Sequence, residues 1–256
     1  VDNKGLINIE QLINSITKKT FLVSIVHANN EIGVIQNIES IGKICNEKKI
    51  FFHVDAAQSF GKIPIDVKKM EIDFLSFSGH KIYGPKGIGG LYKRKECNLS
   101  PQMLGGGQEN GLRSGTLNVA GIVGLGEAAR IAKIKMKEEN FRLKNLANKL
   151  LNGISSKIEN VYLNGCKENR LANNLNLKFD GIVADTLMMN MKEIAISTGS
   201  ACSTLNGQGS RILMALGLTS EEAKSSIRIG LGRFTTEEEI NYVIEKIINT
   251  VNKLRA

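Results

Sequence analysis

The stretch Ser78-Gly79-His80-Lys81-Ile82-Tyr83-Gly84-Pro85-Lys86-Gly87 decides how this chain is read. It follows the apolar run Ile72-Asp73-Phe74-Leu75-Ser76-Phe77 and closes on a turn rich in Gly and Pro. It therefore reads as the loop at the end of a strand. A serine hydroxyl, an imidazole and an amine crowd this one turn. Alone, the run could be a basic surface turn, because lysine in a turn usually faces solvent. The residues on either side argue for more.

Upstream, Phe21-Leu22-Val23-Ser24-Ile25-Val26 is an unbroken apolar strand of the buried type. Residues 38–49 carry apolar side chains at Ile38, Ile41, Ile44 and Cys45, which is helical spacing. Ile50-Phe51-Phe52-His53-Val54 is a second buried strand, and 72–77 and 88–92 supply two more. Strand, helix and strand in short succession predict an α/β domain with a mainly parallel sheet. In such sheets ligands gather beyond the carboxyl ends of strands. Asn30, Asp55 and residues 78–81 each fall just past a predicted strand.

Downstream, a helix is predicted over 119–151, apolar at first and strongly charged from Lys133 to Lys144. Such a profile suits a helix leaving one core for another. Short strands follow at 161–163 and 174–177, then a helix over 184–191 and a strand at 194–196. Thr236 and Glu239 form a capping box for the last helix. These segments predict a large domain over 1–137 and a smaller α+β domain over 138–256.

Composition sets the outer limits. With 42% hydrophobic and 23% charged residues, the 256-residue chain has the make-up of an ordinary globular protein. No apolar run approaches the roughly 20 residues that span a bilayer, so no membrane association is expected. Val1-Asp2-Asn3-Lys4-Gly5 is a polar turn and not a signal peptide. The net charge of +9 is spread along the chain without a basic block or aromatic interleaving. It favours anionic ligands more than direct contact with nucleic acid. Cys45, Cys97, Cys166 and Cys202 form no C-x-x-C pair or zinc spacing, which fits thiols in a reducing, cytoplasmic setting.

Each candidate residue has two readings. Asp55, in His53-Val54-Asp55-Ala56-Ala57-Gln58, is either a helix cap or the partner of a protonated pyridine nitrogen. Lys81, 26 residues later at another strand end, favours the second reading. An amine beside phosphate-binding donors is what a pyridoxal phosphate enzyme needs for its Schiff base. Asn30, in a turn rich in Asn, has a local role or bonds a cofactor oxygen or substrate carboxylate. Gly105-Gly106-Gly107 and Arg113-Ser114-Gly115-Thr116 form a connector, or offer Thr116 and amides to a phosphate at a helix start. Cys45 has apolar neighbours, as a core filler does; Cys202 lies among Gly, Ser, Thr and Asn, as an accessible nucleophile would. Arg228, in the apolar run Ser226-Ile227-Arg228-Ile229, calls for an anionic partner, internal or from a substrate.

Assembled, these motifs resemble the cysteine desulfurases of the class V aminotransferases, fold type I of the pyridoxal phosphate enzymes. The resemblance runs from about Leu22 to the C-terminus. It rests on N-N-E-I-G-V-I-Q at 29–36, H-V-D-A-A-Q at 53–58, S-G-H-K-I-Y-G-P-K-G at 78–87, R-S-G-T at 113–116, S-T-G-S-A-C-S at 197–203 and S-S-I-R-I-G-L-G-R-F-T at 225–235. It implies that Lys81 holds the cofactor and moves the Cα proton, Asp55 meets the pyridine nitrogen and Gln58 the ring oxygen. Ser78 and His80 would hold the phosphate, and Thr116 would reach a partner subunit's cofactor in a homodimer. Asn30 would contact cofactor and substrate, Arg228 the substrate carboxylate, and Cys202 would take the sulfur of L-cysteine as a persulfide, releasing alanine. Sulfur acceptors in the family include an iron–sulfur scaffold protein and tRNA-thiolation proteins, and Cys202 would meet the scaffold's metal through its persulfide. The long segment after Cys202 resembles the iron–sulfur group, although the acidic-Pro-Ser pattern of many relatives is replaced by Asn206-Gly207-Gln208-Gly209-Ser210-Arg211.

The family carries roughly a hundred further residues before this start, within the range of half a domain. They include a cofactor-stacking His and an Ala-Thr phosphate turn, so the chain is expected to lack part of that pocket. The same motifs leave two other readings open: a selenocysteine lyase, and a non-catalytic scaffold that only dimerises or binds partners. A mitochondrial-type compartment is equally compatible with them.

Overall fold

A computed structural model describes residues 1–198 and 209–256 of the chain. They divide into two compact units, one of residues 13–27 and 37–136, the other of residues 1–12, 28–36 and 137–256.

The first unit is built on a four-stranded sheet of β1 (Leu22–Val26), β2 (Phe51–Asp55), β3 (Phe74–Ser78) and β4 (Gly89–Lys93), in that order. β1, β2 and β3 run parallel, and β4 returns antiparallel to β3. The parallel order follows from the connections. The helix α2 (Ile38–Glu47) lies between β1 and β2 in sequence and packs on β2. Its Ile38, Ile41 and Cys45 are buried, and the Asn37 side chain caps it by accepting the Ser40 N–H at 3.1 Å. Phe52 and Val54 of β2 point to the buried face and are fully enclosed. Truncating Phe52 to Ala would cost about 3–5 kcal/mol.

The opposite face carries Leu22, Val26, Phe51 and Leu91, all exposed. Register aligns Val26, Asp55, Ser76 and Leu91 across the four strands. Polar site residues and exposed apolar residues thus share one face.

The long helix α3 (Val119–Ser155) passes from the first unit into the second. Asn118 caps its start by accepting the Gly121 N–H at 3.0 Å. In the second unit β5 (Val161–Leu163), β6 (Asn174–Phe179) and β7 (Ser226–Gly230) form an antiparallel sheet in that order. Leu175, Leu177, Phe179 and Ile227 pack with Leu150 and Ile154 of α3. The same core takes Ile247 and Val251 of α7 (Glu237–Arg255), whose capping box pairs Thr236 with Glu239 as the sequence predicts.

The helices α1 (Ile9–Ser15), α4 (Ala184–Met189), α5 (Arg211–Ala215) and α6 (Ser220–Lys224) complete the described α-helices. No helix among the described residues is long and apolar enough to cross a membrane.

Two local expectations change. Residues 194–196 do not form a strand: their amides turn inward, Ile194 N–H to the Met191 carbonyl at 3.0 Å and Ile196 N–H to that of Ile194 at 3.1 Å. Only Ser197 then pairs, as an isolated bridge, with Arg228 of β7. Residues 1–12 and 28–36, expected with the first domain, fall in the unit of the C-terminal half. Gln36 links them, donating to the Gly5 carbonyl at 2.7 Å and accepting the Ile7 N–H at 2.9 Å. Arg170 adds a donation to the Ile32 carbonyl at 2.6 Å.

Candidate active site

In the first unit, Asp55 ends β2 and Ser78 ends β3. Asp55 is in register with Ser76, so the period of two puts Asp55, Ser76 and Ser78 on one face at the carboxyl end of the parallel strands. The Ala57 N–H donates to Asp55 Oδ1 at 2.8 Å and fixes the carboxylate at the head of a helical turn. Of the two readings of Asp55, the local one is seen directly: from its strand end the carboxylate braces the turn that follows. Gln58, on that turn, is half-buried.

Ser78 opens a single 3-10 turn, Gly79–Ile82, which carries His80 and Lys81. Ser78 Oγ and His80 Nδ1 share a hydrogen bond at 2.8 Å. Tyr83 stops the turn with a left-handed backbone, φ 66°. Ile82 is buried with Ala128 and Ala132, so Lys81 rises from an anchored base. The two turns are also locked to each other. Phe60 and Phe77 stack with centroids 4.1 Å apart, worth about 0.5–1.5 kcal/mol beyond the area they bury. At Gly61, φ +72°, a Cβ would lie 2.7 Å from Ile82 Cγ2.

This donor set fits pyridoxal phosphate: a carboxylate for a protonated ring nitrogen, an amide for a ring oxygen, a hydroxyl and an imidazole for a phosphate, and an amine for the aldehyde. Thr116, in contrast, is exposed in the segment before α3, where the capping role belongs to Asn118.

The second unit holds Asn30 and Arg228. Arg228 Nη1 donates to the Asn30 carbonyl at 3.1 Å. Asn174 and Asn176 donate to the Glu31 carbonyl at 3.3 and 3.2 Å, and the Asn29 side chain accepts the Glu31 and Ile32 N–H groups. Side chains from β6 and β7 therefore hold the 29–33 turn by its main chain. Arg170 is buried enough that its guanidinium pKa falls to about 10.

Cys45, Cys97 and Cys166 are buried. Burial, then the Asp73 charge, pushes the Cys45 thiol up to about 11 and raises that of Cys97 as well. A thiol so placed is a poor nucleophile. Cys202 lies outside the described residues.

Four polar positions were not singled out from the sequence. Ser24 Oγ meets His53 Nδ1 at 2.7 Å, and His53 Nε2 meets Ser76 Oγ at 3.1 Å, a chain across three strands on the face of Asp55. The strand alternation that puts His53 on the same face as Asp55 was the available signal. Lys62 is the fourth, held at Gln58. A cavity of about 310 Å³ in the second unit, lined by Tyr162, Lys178 and Glu222 among others, contains none of the predicted site residues.

The chain matches the family model for aminotransferase class-V over residues 1–243. It is 51% identical over 253 residues to the cysteine desulfurase IscS of Rickettsia bellii (strain OSU 85-389), covering 98% of this chain and 62% of that protein. With the cysteine desulfurase IscS of Ehrlichia chaffeensis (strain ATCC CRL-10679 / Arkansas) it shares 53% identity over 258 residues, covering 100% of this chain and 63% of the relative. This chain thus spans less than two thirds of the length of these relatives. A solved structure described as a NifS-like protein superposes with a TM-score of 0.90 at 38% identity, over 99% of this chain and 67% of its own. The NifS-like protein from Rickettsia africae ESF-5 gives 0.89 at 34%, over 98% and 68%. The expected fold type I architecture is borne out by these superpositions.

Proposed function

The chain belongs to the class-V aminotransferase family, and from that premise we propose that it serves a pyridoxal-phosphate-dependent cysteine desulfurase, converting L-cysteine to L-alanine and leaving the sulfur as a persulfide. The observation that carries this reading is the convergence of Asp55, Gln58, Ser78, His80 and Lys81 on two interlocked turns at the carboxyl ends of β2 and β3.

Pyridoxal phosphate, when bound, supplies the electron sink for chemistry at the substrate's Cα. Asp55 holds the proton on its ring nitrogen, and Gln58 donates to its ring oxygen. Ser78 and His80 donate to its phosphate. The Lys81 amine anchors it and moves the proton at the substrate Cα. Arg228 and Asn30 orient the substrate carboxylate, with Thr116 reaching the other subunit of a homodimer. Cys202 takes the sulfur: an S–S bond forms as the substrate C–S bond breaks, and the carbon skeleton leaves as alanine. The burial of Cys45, Cys97 and Cys166 supports Cys202 in this role. From Cys202 the sulfur would pass to acceptors of the iron–sulfur assembly type.

The test is alanine release from L-cysteine by the chain with added pyridoxal phosphate and a reductant. Release abolished in both Cys202→Ala and Lys81→Ala supports the proposal. Release that survives either substitution contradicts it.

A further inference from the structure

A carboxamide has two unlike ends on a broad, nearly two-fold torsion, so an unrestrained glutamine presents its oxygen as readily as its NH2. At an anionic ring oxygen only the NH2 end attracts. Something must therefore decide which way Gln58 faces.

Lys62 lies four residues on, a helical step that brings two side chains together. Its Nζ donates to Gln58 Oε1 at 3.4 Å. An ammonium has three donors and no acceptor, so it can meet only the oxygen end of the amide. The turn that carries both residues is fixed. Main-chain bonds run from Phe60 N–H to the Ala56 carbonyl at 2.8 Å and from Lys62 N–H to the Ser59 carbonyl at 3.0 Å. Phe60 stacks on Phe77, and Gly61 fits against Ile82, the residue after Lys81. Burial, then the Lys81 charge, lowers the Lys62 pKa to about 8.

We propose that Lys62 is a positioning residue: its ammonium holds the Gln58 carbonyl oxygen and so turns the Gln58 NH2 out as the donor for the anionic ring oxygen of pyridoxal phosphate. The inference rests on the cofactor reading above.

The test is the pH midpoint of the bound cofactor's visible absorbance in the wild type and in Lys62→Met, Lys62→Arg and Gln58→Ala. A donor to the ring oxygen favours its anionic form, so Lys62→Met is expected to raise the midpoint by about one pH unit. Lys62→Arg, which keeps a cationic donor, restores it. Adding Lys62→Met to Gln58→Ala produces no further shift if Lys62 acts through Gln58. An unchanged midpoint in Lys62→Met, or an equal shift in the Gln58→Ala background, overturns the proposal. A wild-type chain that takes up no cofactor counts against the reading above instead. The Gln58 side-chain NH2 resonances of the cofactor-free protein then decide the role of Lys62: a change in Lys62→Met that Lys62→Arg reverses supports it, and no change overturns it.

Discussion

Arg228 Nη1 reaches the main-chain carbonyl of Asn30, 198 positions earlier in the chain, at 3.1 Å. The bond joins a guanidinium on β7 to a turn that the Asn174 and Asn176 amides also hold. If Arg228 orients a substrate carboxylate, Arg228→Ala removes a charge-assisted bond worth about 1.5–3 kcal/mol, or roughly 10- to 150-fold in kcat/KM for L-cysteine. Arg228→Lys keeps the charge but loses the fork and recovers only part of it. Steady-state alanine release against cysteine concentration reads this directly; an unchanged kcat/KM would remove Arg228 from the substrate site.

Gly61 gives a stability prediction with its own control. Its φ of +72° strains any L side chain, and the added Cβ would meet Ile82 Cγ2 at 2.7 Å and Ala132 Cβ at 3.1 Å. Gly61→Ala is expected to cost about 2–4 kcal/mol, from backbone strain and overpacking together. Gly217, at φ +96° with open space around it, would lose only the strain contribution, about 1 kcal/mol, on the same change. Denaturant unfolding of the two variants separates the effects, and equal losses would show that Gly61 is not tightly packed.

His27 is buried, and desolvation lowers its pKa to about 4. The unfolded imidazole takes up a proton near pH 6.5, the folded one only near 4, so between these values the unfolded state binds more protons. Stability from this residue is full above about pH 6.5 and falls by about 1.4 kcal/mol for each pH unit below it, down to about pH 4. Unfolding free energies for the wild type and His27→Gln across this window should diverge with that slope. Parallel curves would mean that His27 protonates freely in the folded chain.

Leu22, Val26, Phe51 and Leu91 lie exposed on the face of the sheet that also carries Asp55. Exposed apolar patches bind apolar dyes and promote association. The 256-residue chain should enhance the fluorescence of an anilinonaphthalene dye, and Phe51→Ser with Leu91→Ser should reduce the enhancement by at least half. Dye binding that ignores both substitutions would show that the face is covered.

The parallel strands were legible because Phe21 to Val26 and Ile50 to Val54 are mostly apolar runs. Asp55 and Lys81 were legible because they fall where such runs end. What stayed hidden depends on register and long-range packing. The Ser24–His53–Ser76 chain exists only once β1, β2 and β3 are aligned. The placement of residues 1–12 and 28–36 with the C-terminal half rests on Gln36 and Arg170, whose partners are other segments' carbonyls. Lys62 was not legible because the sequence does not reveal the tight fit of Gly61 on Ile82.

The most direct measurement is chemical. The chain is loaded with pyridoxal phosphate, reduced with borohydride, digested, and its peptides are mapped for the covalently fixed cofactor. Attachment at Lys81, lost in Lys81→Arg, is the predicted result. Attachment at Lys62 or another lysine, or full labelling in Lys81→Arg, would contradict the assignment of Lys81 as the residue that anchors the cofactor.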